Sequence, residues 1–142
     1  MPRTMTVTER EGFLAKPHIG VIAVDAGPGR APLAVPIWYT YEPGGLVTVM
    51  TGPKSEKARL IAGTGRYSLT VQDEKPPYKY VTASGPVVET VAEAQAPERL
   101  AAAQRYLGEE GGRGFMDQMG GVVEVAFRMR PERWRSADYS EE

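Results

Sequence analysis

Over residues 32–41 the side chains of Leu33, Val35, Ile37, Tyr39 and Tyr41 alternate with Ala34, Pro36, Trp38 and Thr40. That period of two sets one face of a β-strand against a core. The alternation recurs at 66–72, with Tyr67, Leu69 and Val71 on one side, and at 122–130, where Val123, Val125, Phe127 and Met129 oppose Glu124, Ala126, Arg128 and Arg130. An Ile- and Val-rich run at 18–24, a returning stretch at 46–51 and a long segment at 78–89 complete six expected strands. Gly27-Pro28-Gly29 turns the chain after the first strand, and Glu42-Pro43-Gly44-Gly45 makes a hairpin after the second. Pro36 has no N–H to give, so the second strand is expected to bulge or lose a neighbour near its middle; Gly85-Pro86 marks a bend in the long one.

Helical signals are fewer. Thr6-Val7-Thr8-Glu9 and Thr8-Glu9-Arg10-Glu11 each fit a capping box, which starts a short helix carrying Phe13 and Leu14 inward until Lys16-Pro17 ends it. A second helix is expected over 54–62, stopped by Gly63-Thr64-Gly65, and an alanine-rich third over 97–107 with Leu100, Ala103 and Leu107 along one stripe. A glycine-rich link at 108–114 and a short turn at 115–119 lead to the last strand. Hairpin-connected strands with one helix between the third and fourth and another before the last describe a mainly β fold, a six-stranded antiparallel barrel, closed or split. The 142 residues are expected to form one domain, 1–142, with an N-terminal helix within 1–16 and a loose tail over 136–142.

Charge changes this picture by exclusion. With 17 Lys and Arg against 18 Asp and Glu, no net field draws the chain to nucleic acid or a membrane surface, so any anion must be held locally. An OB-fold barrel would use five strands and a basic, aromatic-studded groove, which this balance does not supply. There is no cysteine and one histidine, His18, so disulfide scaffolds, thiolate nucleophiles and Cys- or paired-His metal sites drop out, and no metal is expected. His18 opens a strand, where a packed or solvent-facing role is the ordinary one. No stretch approaches the length of a membrane span, and a cytoplasmic location is the expectation.

One segment carries chemistry. Thr51-Gly52-Pro53-Lys54-Ser55-Glu56-Lys57 puts two lysines and two hydroxyls where a strand runs into the first turn of a helix. A helix N-terminus has unpaired N–H groups and partial positive charge, so lysines there are unfavourable unless something negative, such as a phosphate, binds. Taken alone, the segment reads equally well as a solvated face carrying Lys54, Glu56 and Lys57.

Its surroundings decide between these. Through Val35-Pro36-Ile37-Trp38-Tyr39-Thr40, Val47-Thr48-Val49-Met50-Thr51 and Ser55-Glu56-Lys57-Ala58-Arg59-Leu60, the chain resembles the flavin-reductase-like split β-barrel family. That family includes pyridoxamine 5′-phosphate oxidase and the deazaflavin (F420)-dependent oxidoreductases, and the resemblance runs over about residues 13–134. It implies an FMN-binding type of split barrel in which Val35, Pro36, Ile37 and Trp38 lie along a tricyclic ring. Met50 and Thr51 would meet the ring edge; Thr51, Ser55 and Lys57 would hold the phosphate, with Lys54 a further cation. Lys79 and Arg59 could meet an acidic cofactor tail, and Trp134 is a further wall.

The oxidase branch of that family typically has basic residues at the positions of Val35, Thr40 and Glu56. Their absence here favours F420 as the cofactor over FMN, the alternative. The implied activity is hydride transfer between reduced F420 and a small conjugated substrate. An FMN-binding oxidase-like protein and a non-catalytic cofactor carrier are the other readings. No dedicated catalytic acid or base stands out, although Tyr39 and Tyr78 are available to give a proton. A homodimer with the cofactor at the subunit interface is also implied.

Overall fold

The computed structural model describes residues 2–140. In chain order its elements are α1 (Val7–Ala15), β1 (Gly20–Val24), β2 (Leu33–Ile37), β3 (Tyr39–Thr40), β4 (Val47–Thr51), α2 (Glu56–Thr64), β5 (Arg66–Gln72), β6 (Lys79–Val91), α3 (Ala96–Met119), β7 (Val125–Met129) and β8 (Arg133–Asp138). The strands form an antiparallel sheet in the order β2-β1-β5-β6-β7-β4-β3, and β8 pairs with β6 beside that path. β2 and β3 are consecutive in the chain yet stand at opposite ends of the order. The sheet therefore curls round until Trp38 joins its two ends.

The strand count differs from the six expected, for two reasons. The segment 32–41 does not stay in one ladder: β2 pairs with β1, Val35 opposite Ile22, whereas β3 pairs with β4, Tyr39 opposite Val49. Changing partners on either side of Trp38 is how a sheet closes on itself. The second reason is β8, whose Arg133, Trp134, Arg135 and Ser136 alternate out and in with too few aliphatic side chains to stand out as a strand.

This also corrects the expected loose tail. Residues 136–138 belong to β8; Asp138 is buried, its N–H donates to the Arg3 carbonyl at 2.7 Å, and the Arg3 N–H returns the bond at 2.9 Å. Residues 141 and 142 lie outside the described residues.

β6 is the backbone of the barrel corner. It pairs with β5 as far as Pro86 and with β7 from Val87 onward, with a register shift between Val87 and Glu89. At the bend the Arg130 carbonyl oxygen lies 1.9 Å from where a Cβ on Gly85 would stand, so only glycine lets the two strands meet.

Inside the curl, Leu14, Ile22, Val24, Val47, Val49, Ile61, Leu69, Val71, Val81 and Met129 are fully buried. Each such side chain contributes about 1.5–3 kcal/mol of hydrophobic stabilisation. α1 is capped by Thr6 through a reciprocal box with Glu9, and α2 ends at Gly65 in the left-handed region. α3 is longer than expected. Gly108, at φ 79°, breaks it into two helical halves, so the glycine-rich stretch after it is helix rather than link. No helix among the described residues is long and apolar enough to cross a membrane.

Candidate functional site

β4 is buried along its whole inner face and delivers Thr51, itself buried, to the turn that starts α2. Ser55 is the N-cap: its Oγ accepts from the Ala58 N–H at 3.2 Å and donates to the Gly52 carbonyl at 2.8 Å. The Thr51 hydroxyl lies 3.3 Å from the Ser55 hydroxyl. The first-turn N–H groups of Glu56 and Lys57 have no acceptor within the helix, as at any helix start. With Lys54 exposed and Lys57 half-buried beside them, the donor set is that of an anion cradle.

The Glu56 carboxylate sits among cations. Its Oε1 is 3.8 Å from Arg30 Nη2 and 3.9 Å from Arg59 Nη2. Arg30 comes from the loop between β1 and β2, far away in sequence, and only the fold brings it to the α2 start. Its one sequence signal was its place beside the Gly27-Pro28-Gly29 turn. Phosphate chemistry fits this turn through the free N–H groups and the lysines; the single Ser55 proton is committed to Gly52, which leaves Thr51 as the donor in the Thr51–Ser55 hydroxyl pair.

The expected ring wall divides into two parts. Val35, Pro36 and Ile37 lie on β2, which among the described residues pairs only with β1 and so stands at an end of the sheet. Trp38 and Met50 line a cavity of about 50 Å³ together with Thr48, Arg99, Ala103 and Phe115. The Trp38 indole stacks on Tyr106 at 5.0 Å and 8° and meets Phe115 at 5.4 Å and 49°. α3 thus covers Trp38.

Lys79 and Trp134 are placed elsewhere. Lys79 is opposite Asp138 where β6 meets β8, beside α1, and Trp134 packs edge-on against Tyr41 beneath the Arg10 guanidinium. Neither lines the cavity at Trp38. Trp134 accordingly closes the core under α1.

The phenols near Trp38 are structural. Tyr39 shares its one hydroxyl proton between the carbonyls of Leu14 and Lys16, at 2.7 and 2.9 Å, and burial raises its pKa well beyond the ordinary phenol range. Tyr106 donates to the His18 carbonyl at 2.8 Å, and burial raises it too. Arg105 completes this fastening by donating to the Ala15 and Lys16 carbonyls at 2.8 and 3.0 Å, where α1 ends. His18 contacts the Phe13 carbonyl through Nε2 at 3.0 Å, and desolvation lowers its pKa. Tyr39 is thereby bound up in the joint between α1, β3 and α3, whereas Tyr78 is exposed.

No family model matches the chain, and no curated protein matches its sequence. Solved structures share its fold. A protein described as an F420 reductase superposes with a TM-score of 0.69 at 22% identity, over 87% of this chain and 94% of its own. A conserved hypothetical protein from Mycobacterium tuberculosis gives 0.75 at 27%, over 95% and 86%. An FAD-binding protein from Mesorhizobium loti gives 0.69 at 19%, over 97% and 96%. The curled sheet with three helices is therefore a fold that this chain shares with proteins described as F420- and flavin-handling.

Proposed function

We propose that the protein is a deazaflavin-dependent oxidoreductase that holds F420 with its phosphate at the start of α2 and its ring along β2 toward Trp38 and Met50. The observation that carries this reading is the turn itself: Thr51, Ser55 and the free N–H groups of Glu56 and Lys57 converge at the end of a buried strand, with Lys54 and Lys57 beside them. Likeness of fold to an F420 reductase and to an FAD-binding protein supports it. The cofactor would supply the hydride chemistry. The protein's own residues bind and orient: α2 neutralises the phosphate, β2 offers backbone groups, and apolar side chains exclude water. A small conjugated compound is the proposed substrate, and a homodimer with the cofactor between subunits is the proposed assembly.

FMN is the alternative cofactor, as in an oxidase-like protein. A non-catalytic carrier is a second reading, favoured by one observation: the hydroxyls of Tyr39, next to Trp38 in the chain, and of Tyr106, stacked on it, are both bonded to main-chain carbonyls and are not free to pass a proton. Incubating the purified protein with F420, FMN and FAD in parallel and following cofactor fluorescence tests the choice. Saturable binding of F420 alone supports the proposal. Binding of none of the three overturns it, and binding of F420 without oxidation of the reduced form by nitro- or enone-bearing acceptors selects the carrier.

A further inference from the structure

Arg99 is 6% exposed on the first half of α3, and its guanidinium is held at three points. Nε donates to Glu124 at 2.9 Å, Nη1 to the Gly120 carbonyl at 3.2 Å and Nη2 to the Met119 carbonyl at 3.1 Å. Two of these three partners are the carbonyls of Met119, the last residue of α3, and of Gly120, which caps it, so Arg99 latches the end of that half in place.

The latched segment is weakly built. Gly108 separates it from the first half, Gly111, Gly112 and Gly114 lie inside it, and Gly120-Gly121 follow it. Each internal glycine disfavours helix relative to alanine. Gly112 is buried against Gln104, and Phe115 and Met116 are half-buried; the other side chains of the segment face outward. Few buried contacts and low intrinsic helicity place such a segment at the low end of local stability.

Beneath it lies the cavity of about 50 Å³ lined by Trp38, Met50, Thr48 and Ala103. In that volume there is room for water and not for a ring. Phe115 occupies the space beside the indole at 49°, whereas Tyr106 shows the indole accepting a parallel ring at 8°. Phe115 plugs the place without stacking in it.

We propose that residues 109–119 are a lid over a binding site for a small planar conjugated carboxylate. Opening about Gly108 and Gly120-Gly121 withdraws Phe115 from Trp38 and the Met119 and Gly120 carbonyls from Arg99. An indole surface is then free for the conjugated plane, and two guanidinium nitrogens are free for the two carboxylate oxygens, the geometry that an arginine fork prefers. In the closed form, the hinge carbonyls stand where those oxygens bind. Glu124 stays on Nε and keeps the guanidinium aimed. As a substrate pocket this site rests on the cofactor reading above, because Trp38 and Met50 belong to both; lid opening and carboxylate binding do not depend on it.

The test uses trans-cinnamate as the planar probe and cyclohexanecarboxylate as the puckered one. In a Trp134→Phe background the Trp38 indole N–H is the single tryptophan resonance and reports binding directly. Cinnamate is expected to shift it saturably, at least fivefold tighter than cyclohexanecarboxylate. Phe115→Ala is expected to tighten cinnamate at least threefold. Gly114→Ala, whose new Cβ meets nothing within 4 Å, is expected to weaken it at least threefold by favouring the closed helix. Amides of 109–119 are expected to exchange at least tenfold faster than those of 97–107. Equal exchange in the two halves, equal binding of the two acids, or no saturable shift with cinnamate even in Phe115→Ala would overturn the proposal. Loss of cinnamate binding with F420 binding intact overturns this site alone; the reverse result overturns the cofactor reading alone.

Discussion

The carbonyl oxygen of Arg130 fills the place where Gly85 would carry a side chain, 1.9 Å from the position of a Cβ. The contact fixes the corner at which β6 leaves β5 for β7, and the Arg130 N–H closes it by donating to the Pro86 carbonyl at 2.9 Å. Gly85→Ala must push two backbones apart. Overpacking of this kind costs about 3 kcal/mol, and urea unfolding is expected to show a lower midpoint with an unchanged slope. Wild-type stability in Gly85→Ala would mean that the corner yields freely.

Much of this architecture was legible because it rests on local patterns. The capping box at Thr6 and Glu9, the N-cap at Ser55 and the stop at Gly65 each follow from a few neighbouring residues. What stayed hidden depends on distant partners. Pro36 marked the second strand as one that bulges or loses a neighbour near its middle, but nothing around Trp38 says which two ladders will share it, and nothing near Arg133 says that β6 has a second edge to fill. The site behaves in the same way. Thr51, Ser55 and Lys57 were readable as one turn, whereas Arg30 reaches Glu56, and Arg99 reaches Met119, only through tertiary structure.

Acid should loosen the chain's two ends. Glu9 receives the Arg3 guanidinium and the Thr6 N–H, which hold its pKa at about 2, below the usual carboxylate value. Asp138 is lowered as well, chiefly by hydrogen bonds from Ser140. Groups whose folded pKa is depressed contribute stability above their unfolded pKa and lose it as pH falls through the folded one. Melting temperature is therefore expected to drop between about pH 4.5 and pH 2, and Glu9→Gln to flatten part of that drop. Superimposable pH profiles for the two proteins would remove Glu9 from the account.

A second copy should cover the outer face at the β2–β1 end of the sheet. Val21 stands opposite Pro36 in the ladder and both are exposed, with Ile19 exposed just before them and Ala34 on the same strand as Pro36. An apolar strip on a chain of this size favours a two-fold dimer. Sedimentation at micromolar concentration is expected to give a dimer, and Val21→Lys to shift it toward monomer. A wild-type monomer would sink both the assembly and the expectation of a cofactor between subunits.

Lys57→Ala is expected to weaken cofactor binding by about 1.5–3 kcal/mol, the size of a lost charge-assisted hydrogen bond, with folding intact. Ser55→Ala should cost less in affinity, since its proton already serves Gly52, and about 1 kcal/mol in stability through the lost cap. Fluorescence titration alongside thermal melting separates the two effects. Unchanged affinity in a folded Lys57→Ala protein would leave Lys57 as part of a solvated face.

The choice of cofactor turns on Glu56, a carboxylate in the first turn of the helix proposed to bind phosphate. It repels a phosphate dianion, such as the terminal group of FMN, more strongly than the singly charged diester of F420, whose distal carboxylates can also reach other cations. Arg30 and Arg59, 3.8 and 3.9 Å from Glu56, offset part of that repulsion, but exposed pairs at such distances are worth at most about 1 kcal/mol and do not abolish it. F420 is therefore expected to bind at least tenfold more tightly than FMN, a gap of about 1.4 kcal/mol. Arg30→Ala should widen the gap by releasing the carboxylate, and Glu56→Arg should narrow it in favour of FMN. Parallel titrations of the wild type and both variants check the sign of each change. Protein that purifies yellow with stoichiometric FMN, or that binds the two cofactors equally, would make FMN the cofactor and reduce Glu56 to a surface charge paired with its arginines.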